Sequence, residues 1–207
     1  MNTPGKFIVI EGIEGCGKGT QTKLLSDFLL QKYEVIVKKY PEYGFPIGDL
    51  IDQWLHKKFE LNVQSQVLLF LADFMKDKEL LENSLESGKI VIADRYFAGT
   101  LIYQHINGFD CKKTLELFKT FNLKKPDLVI YIRISPEESF KRKVKQKGIN
   151  DLDRHEKDKK FLDSLYQKYE EFSKNNVFCD WEVIDGEKPI EAVFNEMLKV
   201  INKRLGI

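Results

Sequence analysis

Gly12-Ile13-Glu14-Gly15-Cys16-Gly17-Lys18-Gly19-Thr20 follows the apolar run Phe7-Ile8-Val9-Ile10, and this junction decides the fold. The apolar run reads as a buried strand. A glycine-rich turn that ends in Gly-Lys and leads from a strand into a helix is a phosphate-cradling loop. Glycines let backbone N–H groups converge on phosphate oxygens without Cβ clashes. The following helix points its positive end at the same place. The loop from Gly12 to Thr20 is therefore the candidate nucleotide site, with Lys18 reaching the β- and γ-phosphates as a point charge. The strict pattern puts Ser or Thr directly after the lysine, to hold Mg²⁺. Here that position is Gly19, and Thr20 comes one residue later. Context carries the reading over an ordinary glycine-rich turn: a strand before, and a helix from Lys18 to Lys32 with Leu24, Leu25, Phe28 and Leu29 on one face.

Outward from this junction, strands and helices alternate. Glu34–Lys39, Lys89–Asp94, Leu128–Ile134 and Trp181–Ile184 are short β-branched runs, the form buried parallel strands take. Between them, helices are expected over Ile47–Lys58 and over one long stretch, Gln64–Ser87. That stretch is apolar at Val67, Leu68, Phe70, Leu71, Phe74 and Met75 and is closed by Gly88. Ser135-Pro136-Glu137-Glu138 has the form of a capping box with Pro at the first helical position. A last helix sets Ile190, Val193, Phe194, Met197, Leu198 and Ile201 on one stripe. Such alternation implies an α/β fold, a five-stranded parallel sheet with helices on both faces.

The 207 residues suit a single domain, 1–207, without repeats or linkers. Formal net charge is +1, which gives no electrostatic case for nucleic acid or an anionic membrane. No apolar run approaches the roughly 20 residues of a membrane span. Met1 to Lys6 leads straight into the first strand, which predicts no signal peptide. Cys16, Cys111 and Cys179 are odd in number and lack metal-ligand spacing, so free thiols in the cytoplasm are expected. Cys16, at a helix N-terminus, is either a thiol of lowered pKa or a small filler of the loop.

The third strand ends in Asp94-Arg95-Tyr96. Ligands of α/β sheets collect at the carboxyl ends of strands. A carboxylate there, beside a phosphate loop, can hold a metal or its water, and the neighbouring arginine can clamp a phosphate bidentately. The plainer alternative is a surface pair that caps the next helix.

These segments together resemble the thymidylate kinase family of the nucleoside monophosphate kinase group. Asp94 to Gln104 is similar to the family's Asp-Arg-Tyr…Ser…Ala-Tyr-Gln signature, and Leu68 to Asp73 to its Leu-Leu-Phe-x-Ala-Asp/Asn segment. Glu11 to Gly15 resembles its loop opening, and Asp153-Arg154-His155-Glu156 its lid motif, so that a short basic lid would span about 141–157. The resemblance implies phosphoryl transfer from ATP, with Mg²⁺, to a deoxynucleoside monophosphate, most simply dTMP. It implies that Lys18 and the amides of Gly15 to Thr20 hold the donor phosphates. Glu14 would meet the acceptor 3′-hydroxyl, Arg95 the acceptor phosphate, and Asp94 a Mg²⁺-bound water. Phe70 would stack on the pyrimidine, Tyr103 would crowd C2′, and Gln104 would lie near the base. It also implies a homodimer, through the helix bearing Val67–Met75.

One class of this family carries a catalytic arginine in the loop, where this chain has Gly15; the other carries it in the lid. Lys141 to Lys147 holds five basic residues and no acid, and Arg154 follows. A basic run is ordinarily a solvated helix face, but the missing loop arginine assigns the part to Arg142 and Arg154, since lysines are poorer bidentate partners. The chain departs from the family at three further places. Phe74 stands where an arginine contacts the thymine carbonyl, so the base would meet Phe74 instead. Tyr43 replaces a second arginine, and Gly99 the signature serine. Gly19-Thr20-Gln21 also resembles adenylate kinase, in which Mg²⁺ is held mostly through water. The alternatives are a related kinase of different or broader acceptor base, and a nucleotide-binding protein without catalysis.

Overall fold

The computed structural model describes residues 4–207. Five strands form one parallel sheet: β1 (Lys6–Glu11), β2 (Val35–Lys39), β3 (Ile90–Asp94), β4 (Leu128–Arg133) and β5 (Trp181–Asp185), in the order β2-β3-β1-β4-β5. Central β1, β3 and β4 are buried almost end to end, whereas the edge strands β2 and β5 are part-exposed. Helices cover both faces, as a parallel sheet requires: α1 (Lys18–Leu29), α2 (Pro46–Leu55), α3 (Val63–Met75), α4 (Lys78–Glu86), α5 (Phe97–Ile106), α6 (Cys111–Thr120), α7 (Pro136–Lys147), α8 (Lys159–Lys174) and α9 (Ile190–Leu205).

The register positions the site. Ile10 lies opposite Asp94, so the glycine loop after β1 and the Asp94-Arg95 pair after β3 emerge side by side at the carboxyl edge of the sheet. The Arg95 amide donates to Ile10 O at 3.0 Å and locks that adjacency.

The helical expectations need four corrections. Gln64–Ser87 is two helices. At their junction the ladder tightens to a bond from Asp77 N to Phe74 O, and Asp77 sits at φ −103°, ψ 1°. Its carboxylate is drawn to Lys38 of β2 (2.9 Å) and to Lys76 (2.7 Å). The capping box at Ser135 is only half made. Ser135 Oγ accepts from Glu138 N, but the Ser135 amide donates to Glu187, because Glu138 is engaged by Arg142. The stripe of α9 is narrower than expected, since Val193, Met197 and Ile201 are buried while Ile190 is exposed. Helices α5, α6 and α8 lie outside the predicted stretches, although α8 buries Leu162, Leu165, Tyr169 and Phe172 at helical spacing.

Candidate active site

The loop after β1 keeps its glycines for steric reasons. Gly12 has φ +146°, and a Cβ there would meet Ile132 O at 2.6 Å. Gly15 has φ +74°, and its Cβ would come within 3.0 Å of Ser139 O and 3.4 Å of Arg142 Cβ. Helix α7 therefore occupies the space that a side chain at position 15 would need. It docks on the loop through Ser139 Oγ, which donates to Glu14 O at 2.6 Å, and through Arg142, which donates to Gly15 O at 3.4 Å. Lys18 is buried, and its Nζ donates to Gly12 O (2.8 Å) and Ile13 O (3.0 Å), so the ammonium sits within the curve of the loop. Cys16 is a filler. Burial pushes its thiol up, against the pull of Lys18, so the helix terminus does not activate it.

Two cavities open on either side of one ion pair. The first is lined by Gly15, Gly17, Lys18, Thr20, Asp94 and Arg142, and thus by the loop, the end of β3 and α7. The second lies between α2, α3, α5 and the 153–155 segment. Its walls are largely aromatic: Tyr40, Trp54, Phe70, Phe74 and Tyr103. Glu14 and Arg95 line both cavities, and their side chains are paired with each other. Burial alone would raise the Glu14 carboxyl, but Arg95 and then Lys18 beside it hold it down to about 2. At neutral pH the junction therefore carries a carboxylate and a guanidinium.

Asp94 faces the first cavity. Its Oδ1 is buried and accepts no hydrogen bond, with Arg95 Nη1 3.8 Å away. A Cβ on Gly19 would still stand 3.8 Å from Asp94 Oδ2. An orphaned carboxylate oxygen beside a glycine loop fits a metal-bound water. Among the described residues no group of three or more His, Cys, Asp and Glu could hold a metal directly, so phosphates and water would supply the other ligands.

The sequence-predicted residues divide between the cavities. Lys18, Asp94 and Arg142 are brought together in the first; Phe70, Phe74, Tyr103 and Gln104 share the second. Phe74 is 1% exposed, its ring 5.0 Å from both Tyr40 and Tyr96, so it is as much core as wall. Gln104 is also 1% exposed, and its Oε1 has no partner. Arg154 lies in neither cavity. It is forked onto Glu60 (2.9 and 3.2 Å) and stacked 4.6 Å over Trp54. Sequence reasoning missed Trp54 and His155 as cavity walls. His155 stacks on Phe161 at 4.5 Å, and burial, then Arg154, lowers it to about 4, which keeps the imidazole neutral. The lid motif held the only signal for it.

A glycine-rich loop after the central strand of a parallel sheet, joined through one arginine to an aromatic cavity, is the architecture of a nucleoside monophosphate kinase. Comparisons with known proteins narrow this further. The family model for thymidylate kinase matches residues 10–197. The chain is 35% identical over 209 residues to the thymidylate kinase of Caldicellulosiruptor saccharolyticus, covering 97% of this chain and 98% of that one. It is 34% identical over 203 residues to that of Fervidobacterium nodosum, covering 96% and 100%. A probable thymidylate kinase of Thermococcus kodakarensis is 32% identical over 210 residues, covering 97% and 98%. The chain belongs to the thymidylate kinase family.

Proposed function

We propose that this protein transfers the terminal phosphoryl group of ATP to dTMP, giving ADP and dTDP. The observation that carries this reading is the Glu14–Arg95 pair standing as common wall of the two cavities. A donor phosphate on the loop and an acceptor phosphate on Arg95 would then meet there. An acceptor phosphate oxygen attacks the γ-phosphorus, a P–O bond forms, and the bond to the β-phosphate oxygen breaks. Such transfer needs positioning and charge neutralisation rather than covalent chemistry. Lys18 and the loop amides from Gly15 to Thr20 hold the donor. Arg95 holds the acceptor phosphate and orients its attacking oxygen. Arg142, from α7, neutralises charge on the transferring group. Mg²⁺, when bound, would neutralise charge on the donor phosphates, and Asp94 would hold it through water. Asp94→Asn is expected to lower kcat roughly tenfold and to raise the Mg²⁺ concentration needed for half activity, as losses from an outer metal shell do. An unchanged Mg²⁺ titration would remove Asp94 from this part.

In the second cavity, Glu14 meets the sugar 3′-hydroxyl, Phe70 faces the base, Tyr103 crowds C2′ and Gln104 lies near the base edge. Tyr103 is held by ring contacts to His155 (5.4 Å) and Phe161 (5.8 Å), which fixes it as a rigid wall. With Phe74 packed into the core, no arginine reads the base from α3. A lost charged hydrogen bond is worth roughly 1.5–3 kcal/mol, and an apolar contact cannot tell a carbonyl from an amine by hydrogen bonding. Steady-state kcat/KM for dTMP, dUMP, dCMP, dGMP and AMP should therefore give dTMP as the preferred acceptor, but by only about tenfold to a hundredfold over dCMP. A purine preference would overturn the thymidylate reading. A thousandfold preference for dTMP over dCMP would overturn only the argument from Phe74 and assign the base to Gln104 or Tyr43. The burial of Phe74 favours, as second reading, a pyrimidine monophosphate kinase of broader acceptor base.

The reading includes a single domain over 1–207, supported by one apolar core that joins elements from β1 to α9. It places the enzyme in the cytoplasm, consistent with three free cysteines and with no described helix long and apolar enough to cross a membrane. It includes a homodimer through α3 on the family resemblance, with Leu68 56% exposed there while Val67, Leu71 and Phe74 are buried in the core.

A further inference from the structure

Glu11, the last residue of β1, is wholly buried, yet the chemistry above does not use it. A buried carboxylate persists only where it is hydrogen-bonded and answered by charge. Its Oε1 accepts from the amides of Tyr96 (3.1 Å) and Gly99 (2.9 Å), on the first turn of α5. Its Oε2 accepts from the Tyr169 hydroxyl of α8 at 2.9 Å. Burial raises the Glu11 carboxyl; Arg95 is the largest influence pulling it back.

Two further observations bear on the same turn. Arg95 has φ +67°, a left-handed conformation unusual for a residue with a side chain. Such backbone is retained where the surroundings over-determine it, and it clusters at functional sites. The amide of Arg95 is tied to Ile10, and the amides of Tyr96 and Gly99 are tied to Glu11, so both sides of the left-handed residue are pinned to the end of β1. In addition, a Cβ on Gly99 would stand 2.8 Å from Glu11 Oε2 and 3.0 Å from Oε1. The carboxylate occupies the space a side chain at position 99 would take.

We propose that Glu11 is a positioning residue for Arg95: by holding the Tyr96 and Gly99 amides it fixes the turn that aims the guanidinium between the two cavities. The inference rests on the reading of Arg95 as the acceptor-phosphate ligand.

Two variants break the contact by different routes. Glu11→Asp shortens the arm so that it no longer reaches the amides. Gly99→Ala leaves Glu11 in place but sets a methyl group against its oxygens, at a helical position that tolerates alanine. Each is expected to lower kcat/KM for dTMP about tenfold to a hundredfold, as small misplacements of a positioning group do. KM for ATP should stay within about twofold. In an Arg95→Lys background the further loss should shrink below about twofold, since residues that act through one another are not additive. A KM for ATP that rises as much as that for dTMP, or full additivity with Arg95→Lys, would make Glu11 merely structural and overturn the inference. If Glu11→Asp does not fold, Gly99→Ala carries the same test; normal dTMP kinetics in that variant would overturn it. Should Arg95→Lys alone leave kcat/KM for dTMP unchanged, the reading of Arg95 falls first, whatever Glu11 does.

Discussion

Lys18→Ala is expected to lower kcat by on the order of 10²–10³-fold, the loss that follows removal of one preorganised donor from charge developing in a transition state. The geometry states what is lost. Nζ is buried within the loop and donates to Gly12 O and Ile13 O at 2.8 and 3.0 Å, so the ammonium is fixed before any phosphate arrives. The same two bonds also shape the loop. Alanine therefore removes both the counter-charge and a brace, whereas Lys18→Met keeps most of the stem and removes only the charged head. Both variants should lose turnover similarly if the charge dominates. Thermal melting should shift by only a few degrees in either, as expected when about 1 kcal/mol is lost from a chain of this size, because the sheet core is not touched. Near-normal turnover in Lys18→Ala would remove the loop as donor site and leave Arg142 as the principal cation of the first cavity.

The sequence carried the sheet well, because each strand is a short β-branched run and all five stand within a residue or so of their expected bounds. It also carried the loop and the Asp94-Arg95 pair, since those are local patterns. What it could not carry is what tertiary register supplies. Nothing in the spacing of residues 10 and 94 says that they lie opposite one another, yet that pairing brings Lys18, Asp94 and Arg95 to one edge. The break between α3 and α4 falls at Asp77, whose carboxylate meets Lys38 of β2, and the charged run Lys76 to Glu79 was its only local signal. The crowding of Gly99 by the Glu11 carboxylate is likewise hidden until the end of β1 and the start of α5 are seen together. Helix α8 was legible: Asp158 caps it by accepting from Phe161 N at 3.0 Å, and its apolar stripe is regular. The many charges between its buried positions masked that stripe.

Arg142→Ala should reduce kcat by on the order of 10³-fold while changing either KM far less, the lower end of what an arginine on a transferring phosphoryl group contributes. An interaction made only in the transition state lowers kcat and kcat/KM together. Gly15 is crowded by α7 and has no side chain, so the loop offers no cation besides Lys18. Arg142 is the arginine that α7 brings to the first cavity, and it is restrained there by Glu138 (2.7 Å) and by the carbonyl of Gly186 (3.1 Å). Arg154 starts from a different place. It is forked onto Glu60 and stacked on Trp54, so it reaches the transferring group only if the 153–155 segment gives up both contacts. Arg154→Ala should therefore cost less than Arg142→Ala, roughly ten- to a hundredfold if lid closure delivers it as part of the positioning. Glu60→Gln, which weakens its tether, should not lower kcat. Steady-state kinetics of the three variants separate these parts. A Glu60→Gln enzyme that loses as much turnover as Arg154→Ala would mean that the pair itself, rather than the freed arginine, is what the lid uses. Small and equal effects on kcat and KM in Arg142→Ala would return the basic run of α7 to an ordinary solvated helix face.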